Sequence, residues 1–392
     1  MQIRFLNLAF FLILTLPAVQ YKFRFFNESS LYNVPIDRRY PQISSEGLLS
    51  GKFQGRLERW LIQNTGLFGT MILMQNSINY NLLNSVSSDP RKGSLMGNDW
   101  SLFDRIYVND LNGIFKTSDY LPVGETAARL RRMQDFIKSQ GKEFILVIHP
   151  NKAIFHPEWV RDSFKIGRPG TRQMDLIRPA LDKHGVNYLE VGKKFDPSAM
   201  YFPKSGAHLN YYGMCVATSE VSKAFSPKFA SQVPQFDCAR KDQDRPPKLN
   251  ELDLTDLLNV WDSSPSEAPV PDYELKVTRP AEPKLKLYVS GTSYVFGLLN
   301  NFDAVNAFAE TNFRFYNKSL YSYTSTTPQD QRRNPRRLDV KKHIGLDFML
   351  SHDIIMLETT DARIMGMGGQ ILNKFKNNRV IERYFKRKSK KK

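Results

Sequence analysis

Apolar and polar positions divide the chain into an N-terminal apolar block, a helical stretch and a long alternation of helices with short strands. Residues 5–19, FLNLAFFLILTLPAV, carry no charge and follow Arg4, the pattern of a secretory signal or a short membrane anchor. No small-x-small cleavage site follows Val19, which favours an anchor, whereas Pro17 and a length below about 20 residues argue against a full span. A buried core helix is the third reading. Between residues 46 and 85, Phe53, Leu57, Trp60 and Leu61, then Met71, Ile72, Met74, Ile78, Leu82 and Leu83, recur near helical spacing with a break at residues 66–69. Residues 97–113, GNDWSLFDRIYVNDLNG, are rich in turn formers and predict a hairpin or an extended strand.

From residue 124 a repeated beat sets in. An amphipathic helix over 124–140 stops at Gly141 before a strand at 144–148, and a helix over 172–184 stops at Gly185 before a strand at 186–191. A helix at 211–225 follows, then strands at 285–289, 313–316 and 354–357. Helices alternating with buried strands predict a three-layer α/β/α domain with a mainly parallel five-stranded sheet, flavodoxin-like in outline, whose site lies beyond the carboxyl ends of the strands. Residues 239–283 break the rhythm with Pro-rich segments and read as an insertion, with room for an amphipathic helix over 249–261. The resulting division is a leader at 1–22, a helical lead-in at 45–120, the α/β domain at 121–375 and a basic tail at 376–392.

Composition narrows the setting. The net charge of +17 favours polyanionic company: nucleic acid, anionic headgroups or an acidic polysaccharide. Export, implied by the leader, disfavours nucleic acid, and no nucleic-acid-binding motif is present. Cys215 and Cys238 are too few for a disulfide scaffold or a thiolate cluster, and either pair or stay as free thiols. The spacing of potential ligands suggests neither a metal nor a cofactor. The closing run 386–392, KRKSKKK, is a solvated end or a contact for an anionic surface.

Candidate chemistry starts at Ser293, in the segment LYVSGTSYVFG. A strand, a turn and a helix in succession let a serine stand at a sheet edge with backbone N–H groups facing a developing oxyanion, in which Gly291, Thr292 and Tyr294 are candidate participants. The same pattern also suits a plain helix N-cap. A nucleophile needs a base. Of six histidines, His149, His156, His184, His343 and His352 read as structural, whereas His208 lies in a loop just ahead of Asn210, a good N-cap. The basic loop Arg332, Arg333, Arg336 and Arg337, followed by Lys341 and Lys342, either borders the site or is simply solvated.

The order of several fragments resembles the SGNH-hydrolase-like domain of the alginate O-acetyltransferases of the AlgJ and AlgX type. The fragments are ERWLIQNTGLFG, GNDWSLFD, VIHPNKAIFHPEWV, ELDLTDLL, VSGTSYVFG and IIMLETTDARI, the last placing Glu358 at an acidic position. The resemblance implies an SGNH-like fold with N-terminal helices, a periplasmic location at the inner membrane, and O-acetylation of an acidic exported polysaccharide. It also implies an acyl-serine on Ser293 with His208 as base, and a membrane-bound O-acyltransferase supplying acetyl groups. Where the family reads Asp-x-His, this chain has Gly206, Ala207 and His208, so the acid is missing from its motif. Asp196, Glu190 or a backbone carbonyl are its candidate substitutes. The departure keeps a non-catalytic polysaccharide-binding or assembly subunit open as a second function, and a carbohydrate esterase as a third.

Overall fold

Strands form where apolar runs are short enough to be buried on both faces. The computed structural model describes residues 2–389 apart from 28, 87–92, 325–335, 344 and 368. The chain divides into two compact units, one of residues 1–90 with 254–265 and one of residues 91–253 with 266–392.

The first unit holds α1 (Gln2–Phe23), α2 (Lys52–Asn64) and α3 (Phe68–Asn81). Thr65 is extended and Leu67 takes a left-handed conformation, which ends α2 and starts α3 where the apolar periodicity breaks. Among the described residues no helix is long and apolar enough to cross a membrane.

The second unit opens with a hairpin of β1 (Ser94–Met96) and β2 (Leu102–Asp104), followed by α4 (Val123–Ser139), β3 (Glu143–His149), α5 (Gln173–Lys183), β4 (Tyr188–Glu190) and α6 (Tyr211–Lys223). Next in chain order come β5 (Gln235–Arg245), α7 (Asp253–Leu258, of which residues 254–258 belong to the first unit), β6 (Val270–Arg279), β7 (Lys286–Gly291), α8 (Tyr294–Ala304), β8 (Glu310–Phe315), β9 (Ser319–Thr324), β10 (Arg336–Leu338) and β11 (Ile354–Thr360). The central sheet has seven strands in the order β10-β9-β8-β7-β11-β3-β4. All pairs from β8 to β4 are parallel, and β9 and β10 add antiparallel strands at one edge. The expected sheet of five is thus widened by a hairpin.

Alternation along the strands builds the layers. Ile145, Val147, Leu287, Val289 and Met356 pack with α6 and α8 on one face, while Phe144, Leu146, Ile148, Tyr288, Ile355 and Leu357 pack with α4 and α5 on the other. The last strand, β11, fills the centre between β7 and β3.

The insertion is a polar two-stranded ribbon, β5 with β6, enclosing a 3₁₀ turn at Leu249–Leu252 and α7. The helix expected over 249–261 is shorter because Asn259, just past Leu258, is left-handed. Cys215 on α6 and Cys238 on β5 form a disulfide, which settles the choice the sequence left open and pins the ribbon to the core. The expected basic tail begins as part of the helix Arg379–Ser389, and residues 390–392 lie outside the described residues.

The disulfide closes a loop spanning 23 positions, so the double variant Cys215→Ser with Cys238→Ser should lose about 3 kcal/mol of unfolding free energy in denaturant melts.

Candidate active site

Ser293 sits directly after β7, at the start of α8. An N-capping serine is extended and its hydroxyl accepts a helix N–H. Ser293 does neither: its φ and ψ are −65° and −19°, and its side chain makes no cap hydrogen bond. Its Oγ instead lies 2.6 Å from His208 Nε2. The other ring nitrogen, Nδ1, lies 2.7 Å from Asp253 Oδ2. An ionised carboxylate only accepts, so Nδ1 carries the ring proton and Nε2 is left to accept from the serine hydroxyl. The three side chains thus form a hydroxyl–imidazole–carboxylate relay, each partly open to solvent.

The loop that carries His208 is held from below by Lys152, whose buried Nζ donates to the carbonyls of Leu102, Pro203, Lys204 and Gly206 at 2.5–2.9 Å. Burial drives the pKa of this amine well below its usual value. Asn210 then caps α6, its Oδ1 accepting the Gly213 N–H at 2.7 Å. The ring of Tyr294 lies 4.8 Å from that of His208 and stacks at 5.0 Å on that of His149, and its hydroxyl donates to the Ala207 carbonyl at 3.0 Å. Burial, with His208 a lesser influence, lowers the pKa of His149 to about 3, so this imidazole is a neutral plate behind Tyr294.

Asp253 is fixed by its neighbour but one. The buried Glu251 carboxylate accepts two Arg245 N–H groups at 2.7 and 2.8 Å, the Lys248 N–H at 3.0 Å and the Tyr211 N–H at 2.8 Å. Its carbonyl accepts from Ser205 Oγ at 2.6 Å. These bonds tie the insertion to the start of α6, a few residues from His208.

Residues 113–301 match the family described as SGNH hydrolase-like domain, acetyltransferase AlgX. The match gives this stretch an SGNH-hydrolase-like fold. Among solved structures, the chain is similar to the O-acetyltransferase domain of Pseudomonas putida AlgJ, at 17% identity and a TM-score of 0.43, covering 74% of this chain and 100% of that one. Pseudomonas aeruginosa AlgX follows at 19% identity and a TM-score of 0.41, over 68% of this chain and 61% of that one. Bacillus cereus PatB1 shares 11% identity at a TM-score of 0.41, over 72% and 99%. No curated protein matches the chain.

The carboxylate beside His208 comes from the insertion and not from the position two residues before it, where this chain has Gly206. A Cβ on Gly206 would lie 2.6 Å from Asp253 Oδ1 and 2.7 Å from the Glu251 carbonyl oxygen, so the Asp253 carboxylate occupies the room that a side chain at 206 would need. Its Oδ1 also accepts the Ala207 N–H at 2.9 Å. The candidate substitutes are engaged elsewhere: Glu190 bonds Arg178 and Lys193, and Asp196 bonds Ser198. Asp253 lies within ELDLTDLL, and the one sequence signal for it was an acid opening that helix while glycine stood at the usual position.

The other expected residues support the turn rather than face a substrate. Glu358, buried at the centre of the sheet, accepts the Thr292 N–H at 2.6 Å and its hydroxyl at 2.9 Å, so Thr292 is not an oxyanion donor. A Cβ on Gly291 would fall 2.4 Å from the same carboxylate, which explains the glycine there. Tyr294 is buried with its hydroxyl on Ala207. Gly291 and Thr292 do line a cavity of about 200 Å³ with Tyr316, Glu358 and Arg363. Arg336 and Arg337 lie on the edge strand β10, three strand spacings or about 14 Å from β7, so they do not border Ser293. Arg332 and Arg333 lie outside the described residues. Of the remaining histidines, His156 pairs with Glu158 and His352 with Asn312.

Two outcomes follow from this packing. Gly206→Asp should not improve the site but displace Asp253, lowering stability by about 1–3 kcal/mol in thermal melts. Burial raises the pKa of Glu358 from 4.5 to about 7, so the folded state holds this proton more tightly than the unfolded one. Its contribution to stability is present below pH 4.5 and is lost as pH rises to about 7. Glu358→Gln should flatten the melting-temperature profile over that window relative to wild type. Asp361 and Asp110, raised to about 7 and about 6 by burial, contribute equally to both proteins and cancel in the comparison.

Proposed function

We propose that this protein is an O-acyltransferase that acetylates an exported polysaccharide through an acyl-serine on Ser293. The observation that carries this reading is the continuous relay Asp253–His208–Ser293, with 2.7 and 2.6 Å contacts.

In the first half-reaction, His208 Nε2 takes the Ser293 hydroxyl proton while Oγ attacks the acyl carbonyl of the donor. The tetrahedral intermediate collapses, the donor's leaving group departs with the proton from His208, and the acyl group remains on Oγ. In the second, a sugar hydroxyl gives its proton to His208 and attacks the acyl carbon; the ester to Ser293 breaks and the proton returns to Oγ. Asp253 stabilises the imidazolium formed in both halves and holds the ring in the productive tautomer. The Ser293 N–H, at the first turn of α8, faces the oxyanion with the positive end of the helix behind it.

The Cys215–Cys238 disulfide supports an oxidising compartment, in keeping with a periplasmic location. A membrane-bound O-acyltransferase is the proposed source of acetyl groups. The complete relay favours catalysis over a non-catalytic binding or assembly subunit, since a carboxylate stands against His208 Nδ1. An esterase would use the same first half-reaction with water as acceptor, and transfer to an added sugar separates the two.

Incubation with an activated acetyl ester followed by intact mass measurement should give one acetyl adduct on wild type and none on Ser293→Ala. His208→Ala should label far more slowly, and Asp253→Asn should cut turnover about 10⁴-fold by holding the wrong tautomer. Equal labelling of all four proteins would refute the assignment.

A further inference from the structure

The elements that carry the relay also wall a groove of about 770 Å³, within the range of small-molecule sites. On one side, Phe296, Leu299, Asn300 and Asp303 lie at successive turns of α8, the helix that Ser293 opens. Opposite stand Arg245, Asp272 and Tyr273 of the insertion that supplies Asp253, and Tyr211 lies three residues beyond His208. Eight residues of α8, from Phe296 to Asp303, give the groove about 10 Å of length along the helix that Ser293 opens.

We infer that this groove binds a neutral glycan segment of the acceptor and leads its hydroxyl to the acyl-serine. The inference rests on the acyl-transfer reading and adds the acceptor's chemistry to it. Pyranose rings present flat C–H faces and a rim of hydroxyls. Tyr211, Tyr273 and Phe296 supply half-buried aromatic surface for the faces, while Asn300, Asp272 and Asp303 supply amide and carboxylate groups for the hydroxyls. Charge decides the class of sugar. Arg245 and Lys248 are matched in number by Asp272 and Asp303 along the lining. Arg245 is further held by the buried Glu251 at 2.7 Å and by Asp272 at 3.6 Å. A polyuronate laid here would find no net positive charge: Arg245, Lys248 and the Lys241 that bonds Asp272 at 2.8 Å are balanced by Asp272, Asp303 and the buried Glu251, so the groove gives uronate carboxylates no electrostatic advantage over neutral rings. The +17 of the whole chain, which pointed to an acidic polymer, is not expressed in this groove.

The test titrates the protein, without acyl donor, with neutral β-linked gluco-, manno- and chito-oligosaccharides and with polyuronate oligosaccharides, by calorimetry at low and physiological ionic strength. At least one neutral series should bind with little dependence on salt. Asn300→Ala, at an exposed position that folding does not need, should weaken that binding about fivefold. Failure of every neutral series, tighter binding of polyuronates, or unchanged affinity in Asn300→Ala overturns the inference. Acetyl labelling of wild type keeps the two readings apart. Labelling without neutral-glycan binding leaves acyl transfer standing and removes the groove's role, whereas absence of labelling removes both.

Discussion

The hydrogen bond between Asp253 Oδ2 and His208 Nδ1 is the contact on which the site depends. Without it the imidazole has no fixed tautomer, and a serine beside an unoriented ring is a weak nucleophile. With it, a glycine at the usual position of the acid becomes a requirement, because the carboxylate arriving from the insertion fills the space beside the loop.

Three buried ionisable groups hold this arrangement, each facing a different piece of backbone. Lys152 gathers the carbonyls of the loop before His208, Glu251 gathers the N–H groups of the insertion and of α6, and Glu358 receives the turn before Ser293. Burying such groups is costly unless their hydrogen-bonding capacity is met, and removing a partner costs more than the pair contributes. They are therefore better understood as devices for geometry than as sources of stability. Each fixes backbone within a few residues of one relay member, where a displacement of about 1 Å matters for reaction rate.

Much of this was legible in the sequence where the physics is local. The parallel strands announced themselves as short buried runs, Phe144 to Ile148 and Ile354 to Leu357 most clearly, because both faces are covered. Ser293 and His208 stood out from their strand-turn-helix and loop-cap settings. The edge strands β9 and β10 did not, since SLYSYT and RRL lack a doubly buried pattern, nor did the ribbon β5–β6, whose residues QFDCARKDQDR are largely polar. Asp253 escaped because its role is set by a distance in space across 45 positions of chain, and no periodicity or short motif encodes that.

Placing the carboxylate on a segment distant from His208 in sequence ties the relay's geometry to the whole fold. A local motif keeps its members together even when surrounding structure loosens, whereas here the relay closes over separations of 45 and 85 residues. Such long-range closures form late and at greater entropic cost than neighbouring contacts. On the proposed acyl-serine reading, a transient detachment of the ribbon, far short of global unfolding, would break the relay. The crosslink from Cys238 back to α6 limits that excursion, so one cystine braces both the fold and the spacing of the three side chains.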